Sequence, residues 1–144
     1  MNMKFSEILN DLILDNELTK TQFAKKINVA PSKITGYLNG QIPAPKTVAK
    51  ICDYFMCSMD FITGLSNEFC YPNIKNGYYP NCFMPEYQKL LTINNTKHYR
   101  LAQKGIVNMT CLTRWKNGRL PQFEVLFNIA YELDGSIDKM LGRI

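Results

Sequence analysis

The chain has 144 residues, of which 46% are hydrophobic and 20% are charged, so it can form one ordinary domain or two small ones and is too hydrophobic to be disordered. It contains no apolar run of 18 residues, and its acidic start is a poor signal peptide, so we expect a cytoplasmic protein with no membrane partner. The net charge of +5 is uneven: residues 1–66 carry seven basic and six acidic side chains, and residues 84–144 carry nine and five.

Five short helices are predicted in the first 66 residues. Apolar residues at three- and four-residue spacing mark the first helix, over residues 4–15. The next four are delimited by typical helix punctuation: an N-cap at Thr19, Pro31 in a first turn, a stop at Gly40, Pro45 in a first turn and an N-cap at Ser58. Each helix has one apolar stripe, which indicates a small helical core.

The same pattern returns 78 residues later. Gly40 and Gly118 occupy equivalent phrases, TGYLNGQIP and TRWKNGRLP, and a shift of 78 aligns residues 18–64 with 96–142 without a gap. The aligned pairs include Ala24 with Ala102, Val29 with Val107, Tyr37 with Trp115, Pro43 with Pro121 and Asp60 with Asp138. Apolar size and helix punctuation are preserved together, which indicates an internal duplication. Helices are expected near 85–93, 97–104, 109–117, 122–133 and 136–141, the first of them beginning at Pro85.

Residues 67–83 form an aromatic connector that is poor in Ser and charge, unlike a flexible linker. Asn76-Gly77 is a strong signal for a type I′ hairpin turn, although Pro72 and Pro80 restrict any ladder to a short one. We expect an ordered, hairpin-like connector that packs the two units against each other.

The phrase LTKTQFAKKINVAPSKITGYLNG resembles the lambda-repressor-like, Cro-type (XRE) helix-turn-helix family, through its T-x-x-x-[apolar]-A start, its Val29 turn anchor and its I-x-x-Y-x-N-G ending. The phrase TKHYRLAQKGIVNMTCLTRWKNGRLP resembles the same family. The resemblance implies an all-α fold of two tandem five-helix domains, residues 1–66 and 84–144, joined by the connector. In this family the second helix lies across the phosphate backbone and the third enters the major groove.

The resemblance implies which side chains meet DNA. Contacts to base edges are expected from Ser32, Lys33, Thr35 and Gly36 in the first copy and from Asn108, Met109, Thr110, Thr113 and Arg114 in the second. Contacts to phosphates are expected from Thr21, Gln22, Asn39 and Lys46 in the first copy and from Tyr99, Arg100, Lys116, Asn117 and Arg119 in the second. The second copy would be the more basic of the two DNA-contacting domains, because it carries Arg100, Lys104, Arg114, Lys116 and Arg119.

Two residues of the first copy depart from the family pattern. Gly36 stands where the second copy has Arg114, and Ala30 replaces a side chain able to cap the third helix. Base reading by the first copy therefore rests on Ser32 and Lys33. Trp115, three residues after Leu112, is expected in the core rather than stacked on a base, whereas Met109 can either touch a thymine methyl or cover the turn.

Other chemistry has little support in the sequence. The five cysteines include no Cys-x-x-Cys pair, so packing is favoured over a Cys70–Cys82 disulfide or a zinc site of Cys52, Cys57, Cys70 and Cys82. His98 is the sole histidine and is expected on the surface of its helix. No phosphate loop, nucleophile elbow or metalloprotease motif is present, so we expect a non-enzyme without metal or cofactor.

The expected function is sequence-specific binding of double-stranded DNA and transcriptional regulation, as in phage and bacterial repressors of the family. The alternative is that one copy, more readily the first, is a protein-interaction or dimerisation module, as in an antitoxin or antirepressor. A homodimer and a separate protein partner both stay open.

Overall fold

In a computed structural model, which describes residues 2–144, the chain is helical throughout and has no β-strand in that range. The helices are α1 (Phe5–Asp15), α2 (Lys20–Ile27), α3 (Pro31–Leu38), α4 (Pro45–Phe55), α5 (Met59–Thr63), α6 (Phe83–Ile93), α7 (His98–Gln103), α8 (Leu112–Lys116), α9 (Phe123–Leu133) and α10 (Ile137–Met140). Short 3₁₀ turns cover Pro80–Cys82 and Met109–Cys111. The prediction of an all-helical chain is confirmed for these residues. None of the helices in residues 2–144 is long and apolar enough to cross a membrane.

Two helices after the connector repeat the bounds of two helices before it. α1 and α6 each have 11 residues and begin 78 positions apart, and the same holds for α4 and α9. We call α1–α5 the first half and α6–α10 the second half. The expectation that α6 begins at Pro85 was wrong: it begins at Phe83, and Pro85 lies in the first turn, where a backbone N–H has no helical partner to lose.

The helix N-caps that the sequence predicts at Thr19 and Ser58 are present in the structure. The Thr19 side chain accepts a hydrogen bond from the backbone N–H of Gln22, whose own side chain accepts one from the N–H of Thr19, so α2 begins with a capping box. Ser58 caps α5 by accepting from the N–H of Phe61, and Ser136 caps α10 in the same way. Local sequence therefore fixes where these helices begin.

The corner between α2 and α3 differs from the corner between α7 and α8. In the first, α2 ends at Asn28, which has a φ of 58°, and Val29 donates its N–H to Ala24. In the second, α7 ends at Gln103, the residue with positive φ is Gly105 (φ of 75°), and a 3₁₀ turn precedes α8. The corner of the second half, residues 104–108, is thus two residues longer than residues 28–30 of the first, so the gapless sequence alignment does not hold in three dimensions at this point.

Two buried carboxylates join the halves by capping each other's last helix. Asp138 accepts from the backbone N–H groups of Met59 and Asp60 at the start of α5, both at 2.9 Å. Asp60 accepts from the N–H of Ile137 at the start of α10 at 2.7 Å, and from the hydroxyl of Ser136. A carboxylate at a helix N-terminus satisfies N–H groups that lack helical partners and complements the helix dipole. Because each half caps the other, the contact is reciprocal, as across a two-fold axis.

Arg143 reinforces this junction from the end of the chain. Its side chain is 1% exposed, and its Nε donates to Asp138 at 3.0 Å. Its Nη1 donates to Asp53 at the end of α4 at 2.9 Å and to the backbone carbonyl of Gly77 in the connector at 2.7 Å. A fully buried guanidinium requires such partners, because an unpaired buried charge is strongly destabilising. Arg143 therefore ties the second half to the first half and to the connector.

The connector has no hairpin. Gly77 has a φ of 84°, but Asn76 does not have positive φ, as a type I′ turn would require of both residues. The Gly77 N–H instead donates to Asp53 at 2.7 Å, and the Tyr71 hydroxyl donates to Asp60 at 2.8 Å. The Lys75 N–H donates to the carbonyl of Arg143 at 2.8 Å. Hydrogen bonds to both halves thus replace the ladder that the sequence suggested.

Replacing Asp138 with Ala should lower the free energy of unfolding by about 3–5 kcal/mol, because Arg143 and two N–H groups of α5 lose a buried partner. Urea unfolding measures the change. Asp11→Ala, at an exposed position of α1, is the control and should change the free energy by less than about 0.5 kcal/mol. Equal effects of the two substitutions would contradict the junction.

Protonation of Asp60 should stabilise the fold. Burial and the neighbouring Asp138 raise the pKa of Asp60 from 3.8 to about 6, although hydrogen bonds from Ser136, Tyr71 and Ile137 oppose the shift. A raised native pKa means that the folded state binds the proton more tightly, so this contribution grows as pH falls through 6 and is complete below about 4. Relative to Asp60→Asn, the wild-type protein should gain about 2 kcal/mol of unfolding free energy between pH 7.5 and 4.5. A difference that does not change with pH would contradict this, and Asp15→Asn is the exposed control.

Candidate nucleic-acid interface

The third helix of the first half, α3, has one buried and one exposed side. Ile34 and Tyr37 lie in the core with exposures of 0% and 8%. Of the residues expected at base edges, Ser32, Lys33 and Thr35 are exposed and Gly36 is half-buried. Their shared solvent side follows from the helical period, since Ile34 and Tyr37, three residues apart, both face inward. Three of the four expected reading positions therefore carry an accessible side chain.

The equivalent surface of the second half consists of the Met109–Cys111 turn and α8. Cys111 and Trp115 are buried, and Trp115 makes edge-to-face contacts with the rings of Phe83, Tyr87 and His98. The core position expected for Trp115 is confirmed. The residues expected at base edges are all exposed: Asn108, Met109, Thr110, Thr113 and Arg114. Asn108 also caps the turn, because its side chain accepts from the N–H of Thr110 at 3.3 Å.

The residues expected to contact phosphates are all exposed. They are Thr21, Gln22, Asn39 and Lys46 in the first half and Tyr99, Arg100, Lys116, Asn117 and Arg119 in the second. The guanidinium of Arg100 lies 5.5 Å from the centre of the Tyr99 ring, which the ring quadrupole favours. Lys104 forms an ion pair with Glu132 at 2.7 Å, so part of its charge is neutralised within the chain.

His98 is buried, so its expected surface position was wrong. Its Nδ1 lies 2.7 Å from the Tyr87 hydroxyl, and its Nε2 lies 3.1 Å from the carbonyl oxygen of Asn108. Because a carbonyl only accepts, Nε2 donates to Asn108, and Nδ1 shares a hydrogen bond with the Tyr87 hydroxyl. The histidine thus connects α6 and α7 to the residue that caps the recognition segment. Sequence spacing gave no sign of this, since Lys20 at the equivalent position of the first half is exposed.

Gln41 is a second residue that the sequence did not single out. A Cβ atom placed on Gly36 would overlap the side-chain amide of Gln41, so this amide lies directly over the exposed side of α3. Gly36 is half-buried for that reason. The first half therefore has a polar side chain, that of Gln41, beside the position where the second half has Arg114.

The loops that follow α3 and α8 line one cleft of about 600 Å³. Its walls include Ile42, Pro43 and Pro45 from the first half and the equivalent Leu120, Pro121 and Phe123 from the second. The cleft and the capping carboxylates both lie between equivalent residues of the two halves. α4 begins at the cleft with Pro45 and runs for 11 residues, a length of about 16 Å. Since the two loops line the same cleft, they lie close together.

Comparison with known protein families gives a match in the first half of the chain. Residues 11–62 match the helix-turn-helix family. The match covers α2, α3 and α4 and ends inside α5, so the first half contains a helix-turn-helix domain of the kind found in DNA-binding transcription regulators. The resemblance of the second half to this family stays a prediction. No curated protein and no solved structure matches the chain.

Replacing His98 with Leu should destabilise the second half, because the Tyr87 hydroxyl and the Asn108 carbonyl lose their buried partner. The expected loss is about 1–3 kcal/mol of unfolding free energy. Lys20→Leu, at the equivalent exposed position, should change the free energy by less than about 0.5 kcal/mol. Chemical unfolding of both variants measures the contrast, and equal changes would show that the histidine network contributes nothing.

Proposed function

We propose that the protein binds double-stranded DNA sequence-specifically and regulates transcription, as a repressor of phage or bacterial type, with two unlike reading heads in one chain. α3 and the segment 109–116 each enter the major groove. The observation that carries this proposal is the reciprocal packing of two similarly built halves, with the loops after α3 and α8 lining one cleft.

Homodimeric helix-turn-helix proteins place two heads by symmetry, one helical turn apart on the DNA. In the proposed mode a single chain supplies the same arrangement, and the contacts between Asp60, Asp138 and Arg143 replace the interface between subunits. The heads differ in their exposed side chains, so the two half-sites differ as well. The operator is accordingly not a palindrome.

Charge distinguishes the roles of the heads. The second presents Arg100, Arg114, Lys116 and Arg119 on its exposed surface. Each cation that neutralises a phosphate releases counterions, so this head supplies most of the salt-dependent affinity. Within it, Arg114 lies on the recognition helix itself, where its planar fork can pair with guanine.

The second candidate function is favoured by the sparse surface of α3, in which Lys33 is the one basic side chain. In that version the first half binds a protein, as in an antitoxin or antirepressor, and only the second half reads DNA.

Selection of the purified protein on a random duplex library separates the two functions. Two unlike half-motifs at fixed spacing are expected, and Lys33→Ala and Arg114→Ala should each relax base preference in a different half-motif, by about 1–3 kcal/mol per position. Arg119→Ala should weaken binding evenly and lower the salt slope by about one unit. Lys89→Ala, on the exposed side of α6, is the control for loss of a positive charge.

One half-motif that responds to Arg114→Ala alone would assign reading to the second half and support the protein-binding role of the first. No enriched motif would contradict sequence-specific binding.

A further inference from the structure

The loop after each recognition helix is fastened to that helix in the same way. The N–H of Gln41 donates to the carbonyl of Gly36 at 2.9 Å, and the N–H of Arg119 donates to the carbonyl of Arg114 at 3.1 Å. Both pairs are five residues apart and equivalent under the shift of 78. Residues 41 and 119 are therefore held beside the positions where the halves differ most, Gly36 and Arg114.

Gly36 is not required by the backbone. It lies inside α3 without a positive φ, and a glycine within a helix costs roughly 0.5–1 kcal/mol relative to alanine. What it provides is space, because any Cβ at this position would overlap the Gln41 amide. The absent side chain thus lets a loop residue lie on the exposed side of the recognition helix.

The Gln41 amide is free to bind. Gln41 is exposed, so its side-chain amide can meet a ligand from solvent. A carboxamide carries one acceptor and two donors, which match the N6 and N7 positions of adenine in the major groove. The Arg114 guanidinium has only donors, which match O6 and N7 of guanine.

We propose that Gln41 is a specificity-determining residue of the first head, reading an adenine at the step of its half-site where Arg114 reads a guanine in the other. This inference rests on the proposed DNA-binding function. The first head then has Gly36 and Gln41 where the second has Arg114 and Arg119. Both heads read a base at this step, and they differ in which base they prefer.

Library selection with Gln41→Ala tests the inference. The variant should lose the adenine preference at one position of the first half-motif, with a drop in discrimination of roughly 5- to 100-fold, and leave the second half-motif unchanged. Gly36→Ala should have the same effect, because the new Cβ displaces the Gln41 amide although no polar group is removed. The double variant Gly36→Arg/Gln41→Arg should change the preferred base from adenine to guanine.

The outcomes separate the inference from the function on which it rests. Two half-motifs that are unchanged in Gln41→Ala would overturn the role of Gln41 and leave DNA reading intact. A wild-type protein that enriches a motif for the second head alone would also overturn it. If the wild-type protein enriches no motif, the proposed function fails first. Circular dichroism of each variant confirms that helix content is retained.

Discussion

Two carboxylates hold the halves of this chain in one arrangement. Asp60 and Asp138 each accept hydrogen bonds from the first turn of the helix to which the other belongs, so neither helix has a complete cap without the opposite half. Two negative charges in a buried site would repel each other, and Arg143 offsets this by binding Asp138. The loops that follow α3 and α8 line one cleft between the halves. The relative placement of the two candidate reading surfaces therefore depends on this buried charge cluster.

On this common frame the halves have diverged in chemistry. The second has a histidine and a tyrosine in its core that fix the carbonyl of Asn108, and its outer surface is rich in Arg. The first has a shorter corner, a glycine in its recognition helix and the Gln41 amide over it. Such differences alter what each surface can bind: Gln41 and the arginines are exposed, whereas His98 and Tyr87 are buried and act on the surface through the Asn108 carbonyl. A tandem chain can diverge in this way, whereas the two subunits of a homodimer carry the same substitution.

Much of the local structure was predictable because it depends on residues close in sequence. Caps at Thr19 and Ser58, the helical apolar stripes and the core position of Trp115 all follow from spacing. Contacts between distant residues were not predictable. The shift of 78 paired Asp60 with Asp138 as equivalents, but it gave no sign that they bind each other's helix. Asn76-Gly77 suggested a hairpin, whereas Asp53 and Arg143 bind the Gly77 backbone, and His98 was placed on the surface because its partner Tyr87 lies on another helix. Nine of the eleven residues of α1 and α6 differ between the halves, so only the structure showed that Pro85 lies inside α6.

The central claim is that one chain engages two half-sites at once in a fixed geometry. The most direct test is the affinity and stoichiometry of the purified protein on duplexes in which the two half-sites are separated by increasing numbers of base pairs. The account predicts one chain per duplex and a single sharp optimum near one helical turn, about 10 base pairs between centres. Affinity that is independent of spacing, or two chains per duplex at saturation, would contradict it.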